Sequence, residues 1–162
     1  MERVIVIGCP GSGKSTFSRT LHNITGLPLV HLDMLFWNAD KTTVEKPLFL
    51  ERLQAVLTQR QWILDGNFSS TLELRMQSCD TVIFLDYPVE ICLEGVRSRI
   101  GTRRTDIPWV ETEEDPEFME YIRNFSGGHR AQILDLLAKY ADKDIHIFTS
   151  RAEADLFLEQ LK

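Results

Sequence analysis

Five short apolar runs, at residues 4–7, 29–32, 62–64, 81–85 and 145–148, punctuate this chain. They are rich in β-branched and aromatic residues and predict strands; the first, Val4-Ile5-Val6-Ile7, reads as a strand buried on both faces. Between them, apolar positions recur at helical spacing. Phe17, Leu21 and Ile24 share one face of a helix running from Lys14 to about Ile24, which Gly26 and Pro28 stop. Pro47 opens a second helix carrying Phe49, Leu53, Val56 and Leu57. A short helical stretch follows at 71–77, then a longer helix from 89 to about 100 carrying Ile91, Leu93, Val96 and Ile100. A helix near 117–125 ends at the Gly127-Gly128 break, and Ile133, Leu134, Leu137 and Tyr140 mark the next. Phe157, Leu158 and Leu161 mark the last. Strands alternating with helices predict an α/β fold, a parallel sheet covered by helices.

The first junction carries chemistry. The strand runs into Gly8-Cys9-Pro10-Gly11-Ser12-Gly13-Lys14-Ser15-Thr16, a G-x-x-x-x-G-K-S phosphate loop opening a helix. Backbone N–H groups can wrap a phosphate only where glycines permit unusual backbone angles and close approach. The helix aims its unpaired N–H groups and positive dipole end at the same anion. Lys14 adds a full charge on the β- and γ-phosphates, and the Ser15 hydroxyl is a Mg²⁺ ligand. ATP and Mg²⁺ are the expected cofactors.

Bulk properties narrow the rest. At 162 residues the chain is expected to be one domain, with an acceptor flap over about 33–60 and a lid over about 102–128. A net charge of −6 argues against direct nucleic-acid binding, which needs a basic surface. Cys9, Cys79 and Cys92 lack metal-ligand spacing and read as reduced thiols; with no apolar run of transmembrane length, a cytoplasmic protein without membrane contact is expected. Cys9 is expected simply to occupy a free position of the loop. A monomer or weak homodimer is expected.

Strand-terminal carboxylates are the next candidates. Asp33, after the second strand, is a candidate to hold or deprotonate an acceptor hydroxyl, to contact Mg²⁺ through water, or to cap the following segment. His31 is expected to be a strand residue facing a helix. Asp65, in Asp65-Gly66-Asn67, is the preferred Mg²⁺-orienting carboxylate over Asp86, because in phosphate-loop folds the third strand lies beside the first. Gly66 is expected to let a ligand approach the backbone. Met34, Leu35, Phe36 and Trp37 either line an acceptor pocket or pack the flap onto the body. Arg97, Arg99, Arg103 and Arg104 form a basic run in an acidic chain. Phosphoryl transfer depends on cations that neutralise the moving group, so Arg99 first, and Arg103 with it, are candidate catalytic residues beside Lys14 and Asp33. The acidic residues 111–115 are expected to be solvated surface. Arg123 and Arg130 flank the glycine break, either reaching the phosphates under a closed lid or lying on the surface.

The chain as a whole resembles the nucleoside-monophosphate-kinase branch of P-loop proteins, alongside adenylate and shikimate kinases. More narrowly, H-L-D-M-L-F-W, W-I-L-D-G-N-F, V-I-F-L-D-Y-P and the R-x-x-I-L-x-L-L-x-K-Y segment are similar to the bacterial DNA topology modulation proteins, which are adenylate-kinase-related. The resemblance implies a P-loop NTPase fold with a five-stranded parallel sheet of order 2-3-1-4-5. It also implies ATP on residues 8–16, Mg²⁺ organised by Ser15 and Asp65, a catalytic arginine at Arg99, and a loop at 149–151 against the nucleotide base. A small-molecule or nucleotide kinase follows, or else a nucleotide-gated regulatory protein with little kinase activity. Three departures bear on the acceptor. Asn67-Phe68-Ser69 stands where adenylate kinases carry an aromatic residue, proline and a phosphate-gripping arginine. Gly95 stands where a base-stacking arginine is common, and Asp33 replaces the adenylate-kinase acceptor pattern. AMP is therefore not carried over as acceptor.

Overall fold

The computed structural model describes all 162 residues. Five parallel strands form one sheet in the order β2-β3-β1-β4-β5, the order the resemblance implies. They are β1 (Arg3–Gly8), β2 (Leu29–His31), β3 (Trp62–Asp65), β4 (Thr81–Leu85) and β5 (Asp144–Phe148). Eight helices connect and cover them: α1 (Lys14–Thr25), α2 (Leu32–Phe36), α3 (Lys46–Leu57), α4 (Ser69–Ser78), α5 (Val89–Arg99), α6 (Pro116–Arg123), α7 (His129–Lys139) and α8 (Arg151–Gln160). A 3₁₀ turn, Phe125–Gly127, joins α6 to α7.

The central strands are apolar along their length because helices cover both faces. Val4 to Val6 and Ile63, Leu64, Val82, Ile83 and Phe84 are fully buried. Phe17 and Leu21 of α1, Leu53 of α3, Met76 of α4 and Leu158 of α8 close the core around them. Gly26 ends α1 in a left-handed conformation, its N–H donating to the His22 carbonyl, as expected of a glycine C-cap.

Parallel strands direct their C-terminal ends to one side, where loops gather. The turn after β1, α2 after β2, and the Gly66–Phe68 turn after β3 all lie there. Register matters at this edge: β2 and β3 pair His31 with Asp65, so both side chains leave the sheet on the same face. The sequence pattern extends the second strand through Leu32, whereas Leu32 already begins α2. His31 is the residue before that helix, so Asp33 does not cap it but sits in its first turn.

Candidate active site

One large cleft, about 1320 Å³, opens along the C-terminal edge of β1, β2 and β3. Pockets of ~300–1,000 Å³ hold one drug-sized ligand, so this one has room for a donor and an acceptor together. Pro10, Gly11, Gly13, Lys14, Ser15 and Thr16 line one end. Asp33, Asp65, Arg99 and Arg103 line it too. The cleft thus gathers every catalytic and metal-ligating candidate read from the sequence. Gly8, Cys9 and Ser12 of the loop do not line it.

The loop suits a polyphosphate. Gly11 and Gly13 hold φ of 84° and 91°, left-handed values that a side chain resists. Gly13 caps α1 without offering a side chain, which leaves the first-turn N–H groups for an anion. Lys14 donates from Nζ to the carbonyl oxygens of Gly8 (3.1 Å) and Cys9 (3.2 Å) and makes no ion pair. Burial lowers its pKa, against the opposing pull of the Asp65 charge. A partly desolvated ammonium resting on two carbonyls lacks the counter-charge that a phosphate brings.

The candidate metal ligands are already engaged. Arg19, one turn along α1, donates to Ser15 Oγ (3.0 Å), Thr16 Oγ1 (3.3 Å) and Thr105 Oγ1 (2.8 Å). Asp65 accepts from His31 Nδ1 at 2.8 Å. Burial disfavours the imidazolium, but the hydrogen bond to Asp65 and its charge outweigh burial and raise the His31 pKa. His31 therefore holds the carboxylate rather than merely facing a helix. No group of three or more His, Cys, Asp or Glu side chains forms a metal cage. One hydroxyl and one carboxylate fit Mg²⁺, which commonly binds through one or two protein oxygens plus substrate phosphates and water. Asp86 lies elsewhere, accepting two 2.9 Å hydrogen bonds from Arg130 beside a smaller cavity.

Asp33 is the candidate base. Burial first, then the charges of Asp106 and Asp65, push its carboxyl up to about 6 against the opposing pull of Lys14. That places its titration within the range where general bases work well.

Several expectations need correction. The acidic segment is not simply solvated: Glu111 pairs with both Arg104 and Arg99, the latter at 3.4 Å, and Glu114 pairs with Arg97 at 2.6 Å. Arg104 also forms a forked pair with Asp106. Arg103 alone of the basic run is exposed and free of any ion pair. Arg123 pairs with Glu120 on the surface, and neither it nor Arg130 lines the cleft. Gly66 lines the cleft, and packing constrains it as well. At φ 136°, a Cβ there would meet Leu32 side-chain atoms at 2.9 Å, so the glycine lets α2 close onto the β3 turn. Cys9 turns away from the cleft toward the smaller cavity. Its hydrogen bond to Cys92 and its burial hold the thiol protonated, well above the ordinary range, consistent with a free position of the loop.

Further residues complete the walls, of which the sequence reading passed over Trp109. Trp109 meets Trp37 edge-on at 5.3 Å across the cleft, joining the segments expected as flap and lid. Arg151 donates to the carbonyls of Ser12 and Gly11 and lies 5.5 Å over the Tyr87 ring, bracing the phosphate loop from the turn after β5. Gly95 has a definite role: a Cβ there would lie 2.0 Å from the Gly11 carbonyl oxygen, so only glycine lets α5 rest on the loop. Gly95→Ala should gain at most about 1 kcal/mol of helix propensity and lose about 1–3 kcal/mol to overpacking. A lower Tm by thermal unfolding is expected. An unchanged or higher Tm would mean that α5 moves off the loop freely.

No protein-family model matches the chain, and no curated protein matches it. Solved structures do. Shikimate kinase from Acinetobacter baumannii in complex with shikimate aligns over 99% of this chain and 90% of its own, with TM-score 0.67 and 15% identity. Shikimate kinase from Bacteroides thetaiotaomicron aligns over 99% and 96%, with TM-score 0.60 and 17% identity. That from Aquifex aeolicus aligns over 98% and 92%, with TM-score 0.59 and 18% identity. This is a P-loop kinase fold. At such identities the likeness extends to the architecture alone, and the phosphate loop, the β3 carboxylate and the α5 arginines occupy that architecture with this chain's own side chains.

Proposed function

We propose that this chain is an ATP- and Mg²⁺-dependent phosphotransferase acting on a small hydroxyl compound. One observation carries the reading: a single cleft gathers a phosphate loop and Asp33, a carboxylate pushed up to about 6 yet near enough to feel the Lys14 charge. Bound Mg·ATP supplies the transferable phosphoryl group. Lys14 neutralises the β- and γ-phosphate oxygens, and Ser15 and Asp65 hold the metal. Arg99, half-buried between Glu111 and the Phe118 ring, and the free Arg103 stabilise charge on the group in transit. Arg99 and Arg104 are pre-paired with Glu111, so an arriving polyphosphate competes with that carboxylate for them. Asp33 orients the acceptor hydroxyl and takes its proton.

Shikimate kinases as structural neighbours support a kinase of small molecules, and the likeness of the quoted stretches to DNA topology modulation proteins supports an adenylate-kinase-related lineage. Three buried free thiols fit a cytoplasmic location. No helix is long and apolar enough to cross a membrane.

ADP release from ATP across a broad panel of hydroxyl acceptors tests this reading. Acceptor-dependent turnover is expected, with kcat falling as pH drops through about 6, where Asp33 becomes protonated and can no longer accept a proton. Asp33→Asn should be slow throughout and lose that acid limb. Tight ATP binding without acceptor-dependent ADP release would favour a regulatory ATP-binding protein instead.

A further inference from the structure

Arg19 projects from α1 one turn beyond Ser15, half-buried, and lines the cleft. Its Nη1 donates to Ser15 Oγ at 3.0 Å and also to Thr105 Oγ1 at 2.8 Å. Nη2 donates to Thr16 Oγ1 at 3.3 Å. All three acceptors are hydroxyls, so none brings a charge to balance the guanidinium. The positive charge is felt across the site as well. It opposes the rise of the pKa of His31, the hydrogen-bond partner of Asp65. Arg19 thus stands close to both side chains that would hold Mg²⁺.

Ser15 Oγ cannot serve two cations well. A hydroxyl oxygen has two lone pairs, and a ligated divalent cation takes one of them. The guanidinium on the same oxygen would then lie only a few ångströms from that cation. In a partly desolvated cleft such repulsion is far stronger than in water. Arg19 and Mg²⁺ therefore compete for Ser15 rather than share it.

The bond to Thr105 decides how firmly Arg19 holds on. Thr105 belongs to the segment expected as lid, and its neighbours are fixed. Asp106 and Ile107 after it are buried, and Arg104 before it is forked to Asp106. The Thr105 hydroxyl is consequently a stationary acceptor that keeps Nη1 over Ser15. Clearing Ser15 for a metal means drawing Arg19 off the lid segment too.

We propose that Arg19 is a positioning residue that competes with Mg²⁺ for Ser15, and that Thr105 anchors it in that competition. The segment expected as lid thereby sets how strongly nucleotide binding depends on the metal. The inference rests on the kinase reading for the place of Mg²⁺ and ATP, and adds a residue and a contact which that reading does not use.

Calorimetric titration of the full chain with a non-hydrolysable ATP analogue, once in Mg²⁺ and once in EDTA, gives two Kd values. Their ratio is the readout, because a merely structural loss weakens both alike. Arg19→Gln keeps a hydrogen-bonding group and removes the charge. It is expected to weaken binding in EDTA, where a cation beside the phosphates is lost, and to hold or tighten binding in Mg²⁺. The ratio of the EDTA to the Mg²⁺ Kd should rise at least ~10-fold, a difference of about 1.4 kcal/mol. Arg19→Lys retains the charge and should stay within about threefold of the parent ratio. Thr105→Val removes only the anchor and should raise the ratio at least ~3-fold, but should add nothing on the Arg19→Gln background. A smaller rise for Arg19→Gln, or a lysine variant that behaves like it, overturns the inference. So does a Thr105→Val effect that is missing from the parent or the same size without Arg19. Acceptor-dependent ADP release alongside unchanged ratios would sink the inference and leave the kinase reading standing. The expected ratios without ADP release from any acceptor would do the opposite.

Discussion

Lys14→Ala is expected to lower kcat for acceptor phosphorylation by at least ~100-fold, the scale of losing a transition-state charge donor. The geometry gives the reason. Lys14 Nζ sits over the carbonyls of Gly8 and Cys9, at the head of a helix whose first-turn N–H groups point at the same space. Burial lowers its pKa, the Asp65 charge opposes that fall, and the amine has no ion-pair partner of its own. Phosphate oxygens gaining charge in the transition state meet this cation more strongly than ground-state oxygens do, which places the loss in kcat as well as in ATP affinity. Lys14→Arg should not rescue, because a planar fork cannot take the place of a compact ammonium between two carbonyls and a phosphate. Steady-state kinetics with the acceptor saturating, alongside the Kd for Mg·ATP, are the measurements. A change in kcat below about threefold would remove Lys14 from phosphoryl transfer.

What was legible in the sequence is what local pattern determines. Val4 to Ile7, the 81–85 run and the G-x-x-x-x-G-K-S loop announce strand, turn and helix through neighbouring residues, and the observed elements follow them closely. Asp65 was legible because it closes a strand and Asp33 because it follows one within two residues, and a parallel sheet directs all such ends to one edge. The rest depends on contacts between distant residues. His31 and Asp65 are 34 positions apart and meet only through the β2–β3 register, which no local pattern encodes. Trp37 meets Trp109 only because α2 and the segment after α5 turn toward each other across the cleft. Glu111 lies in an acidic stretch indistinguishable from solvated surface until the chain folds back on Arg99 and Arg104. The α2 helix is five residues long, too short for helical periodicity to register. Gly95 reads as a weak helix position, and its purpose appears only when the Gly11 carbonyl is found against it.

Arg75→Met is expected to cost about 3–5 kcal/mol of stability, the largest loss from any single change outside the apolar core. Arg75 is fully buried on α4 with no carboxylate in contact. Its guanidinium instead donates to the carbonyls of Gly66, Asn67 and Phe68 and to Thr71 Oγ1. It therefore ties down the turn after β3, where Gly66 holds φ 136° and Phe68 holds φ 34°. A left-handed phenylalanine persists only where its surroundings over-determine it. Methionine approximates the arginine volume but donates nothing, so the Gly66 and Asn67 carbonyls lose their side-chain donor at about 1–3 kcal/mol each, while the Phe68 carbonyl keeps the Thr71 N–H and hydroxyl. The same turn presents Asp65 to the cleft and carries Asn67, whose Oδ1 accepts from the Gly8 N–H at 3.3 Å. Loosening it should therefore weaken metal-dependent nucleotide binding as well as stability. Arg75→Lys retains charge without the fork and should fall between. Urea unfolding of the three proteins, with nucleotide affinity measured on whatever remains folded, decides the matter. A loss below about 1 kcal/mol for the methionine variant would mean that β3 and α2 hold the turn without the arginine.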